Sequence, residues 1–180
     1  MSDEQKTTRE KIIEAAVRLI AEEGTAHFTL EAVADYADVS KGGLLYHFAS
    51  KDALIEAMIQ HYLDACDERV QELLQGDGRP HAWLRAFVRM TFEDQPTDIA
   101  IVASKSAAFV NNPDLIAPLR TRYQQWMRQA TADGLPVDVA TLVIAASDGY
   151  WYAKMFEFND FDDEARQGLL DRLLQMIEDT

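Results

Sequence analysis

The chain has 180 residues, 48% of them hydrophobic, and carries a formal net charge of −14. That length buries a sizeable core, as one compact unit or as a small domain beside a larger one, and the apolar content excludes a disordered chain. The charge excludes a generally basic nucleic-acid binder, so any affinity for phosphates has to come from a few placed cations.

The acid is unevenly spread. Residues 1–51 hold six Lys/Arg and nine Asp/Glu, net −3, and residues 52–180 hold eleven and twenty-two, net −11. Apolar runs all fall short of the roughly 18 residues of a membrane helix. The polar start, Met1-Ser2-Asp3-Glu4-Gln5-Lys6, points to a cytoplasmic protein without membrane association. Cys66 is the single cysteine, so no intrachain disulfide forms, which fits a reducing compartment.

In chain order, Ile12, Ile13, Ala16, Val17, Leu19 and Ile20 recur at helical spacing after Thr8, the expected N-cap, and Gly24 ends that helix. Thr29 is placed to cap a second, shorter helix with Leu30, Val33, Ala34 and Ala37 on one face. Asp38-Val39-Ser40 reads as a tight turn, and Ser40 as the cap of a third short helix holding Gly42 to Phe48. Ser50 caps a fourth, with Asp52 in a first turn whose dipole favours negative charge. This helix is expected over 51–75, broken by Gly76-Asp77-Gly78-Arg79-Pro80. Further helices are expected over 81–93, 97–110, 113–132, 137–158 and 163–178. Pro96, Asn111-Asn112-Pro113 and Gly134-Leu135-Pro136 separate them. Strand alternation and repeats are absent. The fold class is all-α with about nine helices: an N-terminal three-helix helix-turn-helix head over residues 1–51 and a C-terminal helical body over 52–180.

Two short helices joined by a three- to four-residue turn make a helix-turn-helix, whose second helix enters the major groove while the first crosses the backbone. The stretch Phe28 to Leu54 supplies the parts in order and resembles the signature of TetR-type transcriptional regulators. The matching residues are Thr29, Leu30, Val33, Ala34, Val39, Ser40, Gly42, Leu44, His47, Phe48, Ser50, Lys51 and Leu54. The rest of the chain resembles the family only in helix number and length. Three positions depart. Gly43 stands where the family often has Thr, and Asp38 where it often has Gly. Leu45 stands where it often has Tyr, with the aromatic one place later at Tyr46.

The residues expected to contact DNA are Thr29, Ser40, Lys41, Gly42, Gly43, Leu45, Tyr46, His47 and Lys51. Thr29 and Ser40 are ordinary caps, or caps whose hydroxyls and adjacent amides also meet phosphates. Lys41 can reach a phosphate or a guanine edge from the head of the recognition helix. Gly42 and Gly43 each cost roughly 1 kcal/mol in a helix interior, which a close approach of backbone to duplex would explain. Tyr46 and His47 can donate to phosphates, and Leu45 or Tyr46 can pack on a thymine methyl. Lys51 is placed for another phosphate, Lys6, Arg9 and Lys11 for a short basic arm, and Leu44 and Phe48 for the core.

In the body, the family resemblance implies a small-molecule effector pocket. Phe87, Met90, Phe109, Tyr123, Trp126, Asp148, Trp151 and Tyr152 are the expected lining, with Ser104, Ser106, Asn111 and Glu157 as further polar candidates. A packed core is the competing reading of the aromatics. Carboxylates among aromatics would suit a lipophilic cation. The helix over 137–158 begins apolar nearly all round, a pattern that calls for burial on all sides, and the last helix has a wide stripe of Leu169, Leu170, Leu173, Leu174 and Ile177. The resemblance implies that these two helices form a homodimer interface, so that two recognition helices meet a palindromic double-stranded DNA operator. It also implies repression relieved by a ligand, with the long fourth helix as lever.

Nucleotide-binding glycine loops, His-Glu-x-x-His and Gly-x-Ser-x-Gly are lacking, so the chain is not expected to be an enzyme or to need a cofactor. His61 and Asp64, one helical turn apart, read as a solvated face rather than as metal ligands, and no metal is expected. The alternative function is a small-molecule-binding helical protein or adaptor that does not act on DNA.

Overall fold

The computed structural model describes residues 6–93, 112–156, 158 and 161–180. The expected helix over 97–110, with Ser104, Ser106 and Phe109, lies outside the described residues, as do Asn111 and Glu157. Among the described residues the regular structure is eight α-helices and two short 3-10 turns. They belong to two compact units, one drawn from Met1–Leu63 and Pro96–Arg120, the other from Asp64–Gln95 and Thr121–Thr180.

The first unit begins with α1 (Thr8–Glu23). Its N-cap is Thr7, not Thr8. The Glu10 amide donates to Thr7 Oγ1 at 3.3 Å, and the Glu10 carboxylate accepts from the Thr7 amide at 2.7 Å. This reciprocal box satisfies two orphan amides at once and sets the helix start one residue later than Thr7. The backbone bond from Thr7 also holds the Glu10 carboxyl below its ordinary range. Ile12, Ile13, Leu19 and Ile20 are buried along α1. Gly24, at φ 80°, turns the chain out of the helix, a left-handed conformation that favours glycine. Next come α2 (Leu30–Tyr36) and α3 (Lys41–His47). Helix α4 (Lys51–Leu74) starts at Ser50, whose Oγ accepts from the Ala53 amide at 3.1 Å. Its early turns bury Leu54, Ile55, Met58, Ile59 and Leu63.

The second unit holds the end of α4, then α5 (Ala82–Thr91), most of α6 (Ala117–Ala130), α7 (Val137–Met155) and α8 (Asp163–Glu178). Helix α5 packs against α7 and α8, and α7 against α8. Phe92, just past α5, stacks on Tyr150 with ring centroids 4.1 Å apart, and Phe161 meets Tyr150 edge-on at 5.1 Å. Within this chain, helix α7 is buried on one face only. Ala140, Val143, Ile144, Ser147, Tyr150 and Trp151 are buried, but Leu142 is 55% exposed and Phe156, just past the helix end, 45% exposed. A helix apolar all round has one face to give to its own unit, and here the other is left facing outward.

The loop between α4 and α5 is held by charge. Arg85 is only 3% exposed. Its guanidinium donates to the Asp77 carboxylate at 3.2 and 3.3 Å and to the Pro80 carbonyl. Arg79 adds a second fork to Asp77 at 2.9 Å. These hydrogen bonds, Arg79 first, with the charge of Arg85, hold the Asp77 carboxyl well below the usual carboxylate range. A depressed carboxyl contributes stability in full above its unfolded value, and loses it as pH falls through the folded one. Asp77→Asn is therefore expected to lower the melting temperature at neutral pH, with a gap that narrows below about pH 4. Thermal unfolding of both proteins across pH checks this, and a gap independent of pH would refute it.

Candidate functional site

The helix-turn-helix is built by two side-chain caps. Thr29 Oγ1 accepts from the Ala32 amide at 3.1 Å to start α2, and Ser40 Oγ accepts from the Gly43 amide at 3.0 Å to start α3. Between them Asp38 takes a left-handed conformation, φ 52°, and the Val39 amide donates to the Ala34 carbonyl at 3.0 Å. Asp tolerates this conformation at modest cost. Leu44 and Phe48 are buried, which orients α3. Lys41, Leu45 and Tyr46 are then on the outside, Tyr46 at 85% exposure. Tyr46 and His47 meet edge-on at 5.2 Å, and His47 is half-buried. The glycines have a local reason too. A Cβ on Gly43 would come within 3.2 Å of Ser40 Oγ and crowd the cap, while one on Gly42 would stand 4.0 Å away.

Several of the cations singled out in the sequence have partners within the head. Lys51 Nζ donates to the Phe28 carbonyl at 2.6 Å and lies 4.8 Å from the Phe28 ring centroid, so it ties the start of α4 to the residues before α2. The basic arm is not an arm, because the Thr7–Glu10 box brings Arg9 and Lys11 into α1. Arg9 lies over the Phe48 ring at 5.1 Å, and Lys6 pairs with Glu14 at 2.9 Å. Lys41 forms an ion pair with Glu31 of α2, the hydrogen bond that chiefly holds the Glu31 carboxyl below its ordinary range.

In the second unit, four of the expected lining residues form a connected chain. Phe87 of α5 meets Trp126 of α6 at 5.2 Å, and Trp126 meets Tyr123 at 5.0 Å. The Tyr123 hydroxyl donates to the Asp148 carboxylate of α7 at 2.8 Å. Burial, and then Asp148, push the Tyr123 phenol far up, and the same two causes raise Tyr152. Trp151 pairs with Tyr152 at 4.9 Å, and Met90 is buried in α5. Sequence reasoning missed a second polar group here. Asp67 of α4 accepts from the Trp126 indole at 2.7 Å and pairs with Arg122, which also donates to Asp64 at 2.7 Å. The available signal was spacing: Asp64 and Asp67 lie one turn apart on α4, and Arg122 and Trp126 one turn apart on α6.

Comparison with known families gives two matches. Residues 12–58 match the bacterial regulatory proteins of the tetR family, and residues 81–178 match the tetracyclin repressor-like C-terminal domain. The chain belongs to the TetR family of transcriptional regulators. It is a ligand-responsive, DNA-binding regulator, which sets aside the adaptor alternative. Relatives include the HTH-type transcriptional regulator BetI of Burkholderia thailandensis, 26% identical over 94% of this chain and 92% of that protein. A transcriptional regulator from Rhodococcus sp. Rha1 shares the TetR fold, with a TM-score of 0.78 and 22% identity over 96% of this chain and 97% of the other. So does the multidrug binding protein EbrR in complex with ethidium, with a TM-score of 0.68 and 21% identity over 94% and 98% of the two chains. Among the described residues, no helix is long and apolar enough to cross a membrane.

Proposed function

We propose that this TetR-family chain is a cytoplasmic, non-enzymatic repressor that binds a palindromic operator as a homodimer and is released by a small molecule. The observation that carries the DNA side is the outward set Lys41, Leu45 and Tyr46 on a short helix whose inner residues Leu44 and Phe48 are buried. Thr29 and Ser40 stand at the starts of α2 and α3, where first-turn amides meet phosphates. Gly42 and Gly43 keep the α3 backbone close to the duplex, and His47 supports Tyr46. Lys51 acts mainly by fixing the head. We keep the boundary of the DNA-binding domain near residue 51, with the effector and dimerisation domain after it.

The dimer reading rests on the outward face of α7. Leu142, Ala145, Gly149, Tyr152 and Phe156 are all exposed and recur at intervals of three and four, one continuous stripe along a helix. Half-buried Leu169, Leu170 and Leu174 of α8 extend the apolar surface. A two-fold axis there presents two recognition helices about one helical turn, or a multiple, apart. The double substitution Lys41→Ala/Tyr46→Ala is expected to weaken binding to the DNA upstream of its own coding sequence by at least about tenfold, with helicity and oligomeric state unchanged. Fluorescence anisotropy with analytical ultracentrifugation reads both. Salt-insensitive or absent binding by the wild type would sink the proposal.

For the effector, the ring chain of Phe87, Trp126 and Tyr123 ending on the Asp148 carboxylate suits a lipophilic aromatic cation. The ethidium complex of EbrR supports this class. Ligand that prefers the conformation with displaced recognition helices draws the population off DNA, and α4, which contributes residues to both units, is the natural transmitter. Ethidium, titrated without DNA and followed by its own fluorescence, is expected to bind, and Asp148→Asn to weaken it roughly tenfold. Equal affinity in that variant, or preference for a neutral analogue of the same shape, contradicts a cationic effector.

A further inference from the structure

Lys41 is the one α3 lysine in the set proposed to meet DNA, yet its ammonium is already engaged. Glu31, at the second position of α2, pairs with it across the turn, and both side chains are 59% exposed. The pair is therefore on the surface and open to exchange rather than locked in the core. Glu31 is also well placed to stay ionised. It sits in the first turn of a helix, where the dipole favours negative charge.

We propose that Glu31 is an intramolecular competitor for the phosphate-binding cation, setting the affinity and salt response of the head. The proposal rests on the reading of Lys41 as a DNA contact. When Lys41 turns to a phosphate it leaves Glu31, so the interaction gained is reduced by the one given up. The vacated carboxylate then stands near the duplex. Phosphates carry no sequence, so this cost falls on every DNA alike. In a head of net charge −3, such a counter-ion keeps non-specific binding low. Glu31 is thus a tuning residue that acts through Lys41.

The test is a thermodynamic cycle in the full-length chain. Wild type, Glu31→Gln, Lys41→Ala and the double variant are titrated with a fluorescein-labelled duplex of arbitrary sequence, about three helical turns long, over a series of salt concentrations. Circular dichroism checks that helicity is kept. Glu31→Gln is expected to tighten binding roughly two- to fivefold per head, the range of an exposed ion pair. Lys41→Ala is expected to flatten the dependence of log affinity on log salt by about 0.9 per head. The decisive comparison is the loss on Lys41→Ala. It should be larger in the Glu31→Gln background than in the wild type, by that same two- to fivefold, because general repulsion from Glu31 cancels in the cycle. Equal losses in both backgrounds overturn the proposal. A smaller loss in the Glu31→Gln background also overturns it, because Glu31 would then be positioning Lys41 for DNA. If Lys41→Ala changes neither affinity nor salt slope in either background, the reading of Lys41 as a phosphate contact fails, and the proposal with it.

Discussion

A seven-residue helix has no independent stability in water, because nucleating the first turn costs more than so few bonds return. Helix α3 exists because it is docked. Leu44 and Phe48 sink into the first unit, and Ser40 caps its start through the Gly43 amide. The docking leaves only one set of side chains facing outward, so burying the inner residues also decides which residues can meet a partner. The caps at Thr29 and Ser40, the left-handed Asp38 and the tether from Lys51 to Phe28 all serve the same end. They fix the angle at which a short, otherwise unstable segment is held out.

That arrangement explains how an acidic protein can act on DNA. Cations are few, and the structure commits several of them internally: Arg9 to Phe48, Lys6 to Glu14, Lys51 to Phe28 and Lys41 to Glu31. Phosphate attraction is therefore limited, and in the proposed reading more of the recognition falls to amides, the exposed Tyr46 and shape. The second unit follows a similar economy. Its carboxylates at Asp67 and Asp148 are hydrogen-bonded to Trp126 and Tyr123. Negative charge is thereby held among aromatic rings and not simply exposed to water.

Much of this is legible in the sequence because local signals and long-range packing agree there. Apolar spacing locates seven of the eight described helices closely, and glycine and proline mark several of the breaks between them. The segment 113–132 is the exception in detail, since Pro113–Ile116 forms a 3-10 turn before α6 begins. Ser40 and Thr29 are readable as caps because capping depends on neighbours three residues away. Thr8 is the cap that the apolar run suggests and Thr7 the one the structure uses, since either hydroxyl precedes the same run and only the partner Glu10 decides between them. What the sequence does not disclose are pairings across distance. Lys51 with Phe28 spans 23 residues, and Trp126 with Asp67 spans 59. Such contacts give Lys51 a partner within the head and link Asp67 to Trp126 and Arg122 across two helices. The exposed stripe of α7 is hidden for a related reason: composition says how apolar a helix is, not how much of it one chain covers.

In the proposed mode, DNA is met by the outward side of α3 and the capped start of α2, held by a buried Leu44–Phe48 anchor. Hydrogen–deuterium exchange of the intact protein, with and without saturating duplex from upstream of its coding sequence, tests it most directly. New protection is expected to concentrate in residues 29–47, with the stripe of α7 unchanged by DNA. Protection confined to other segments, or none in α3, would contradict it.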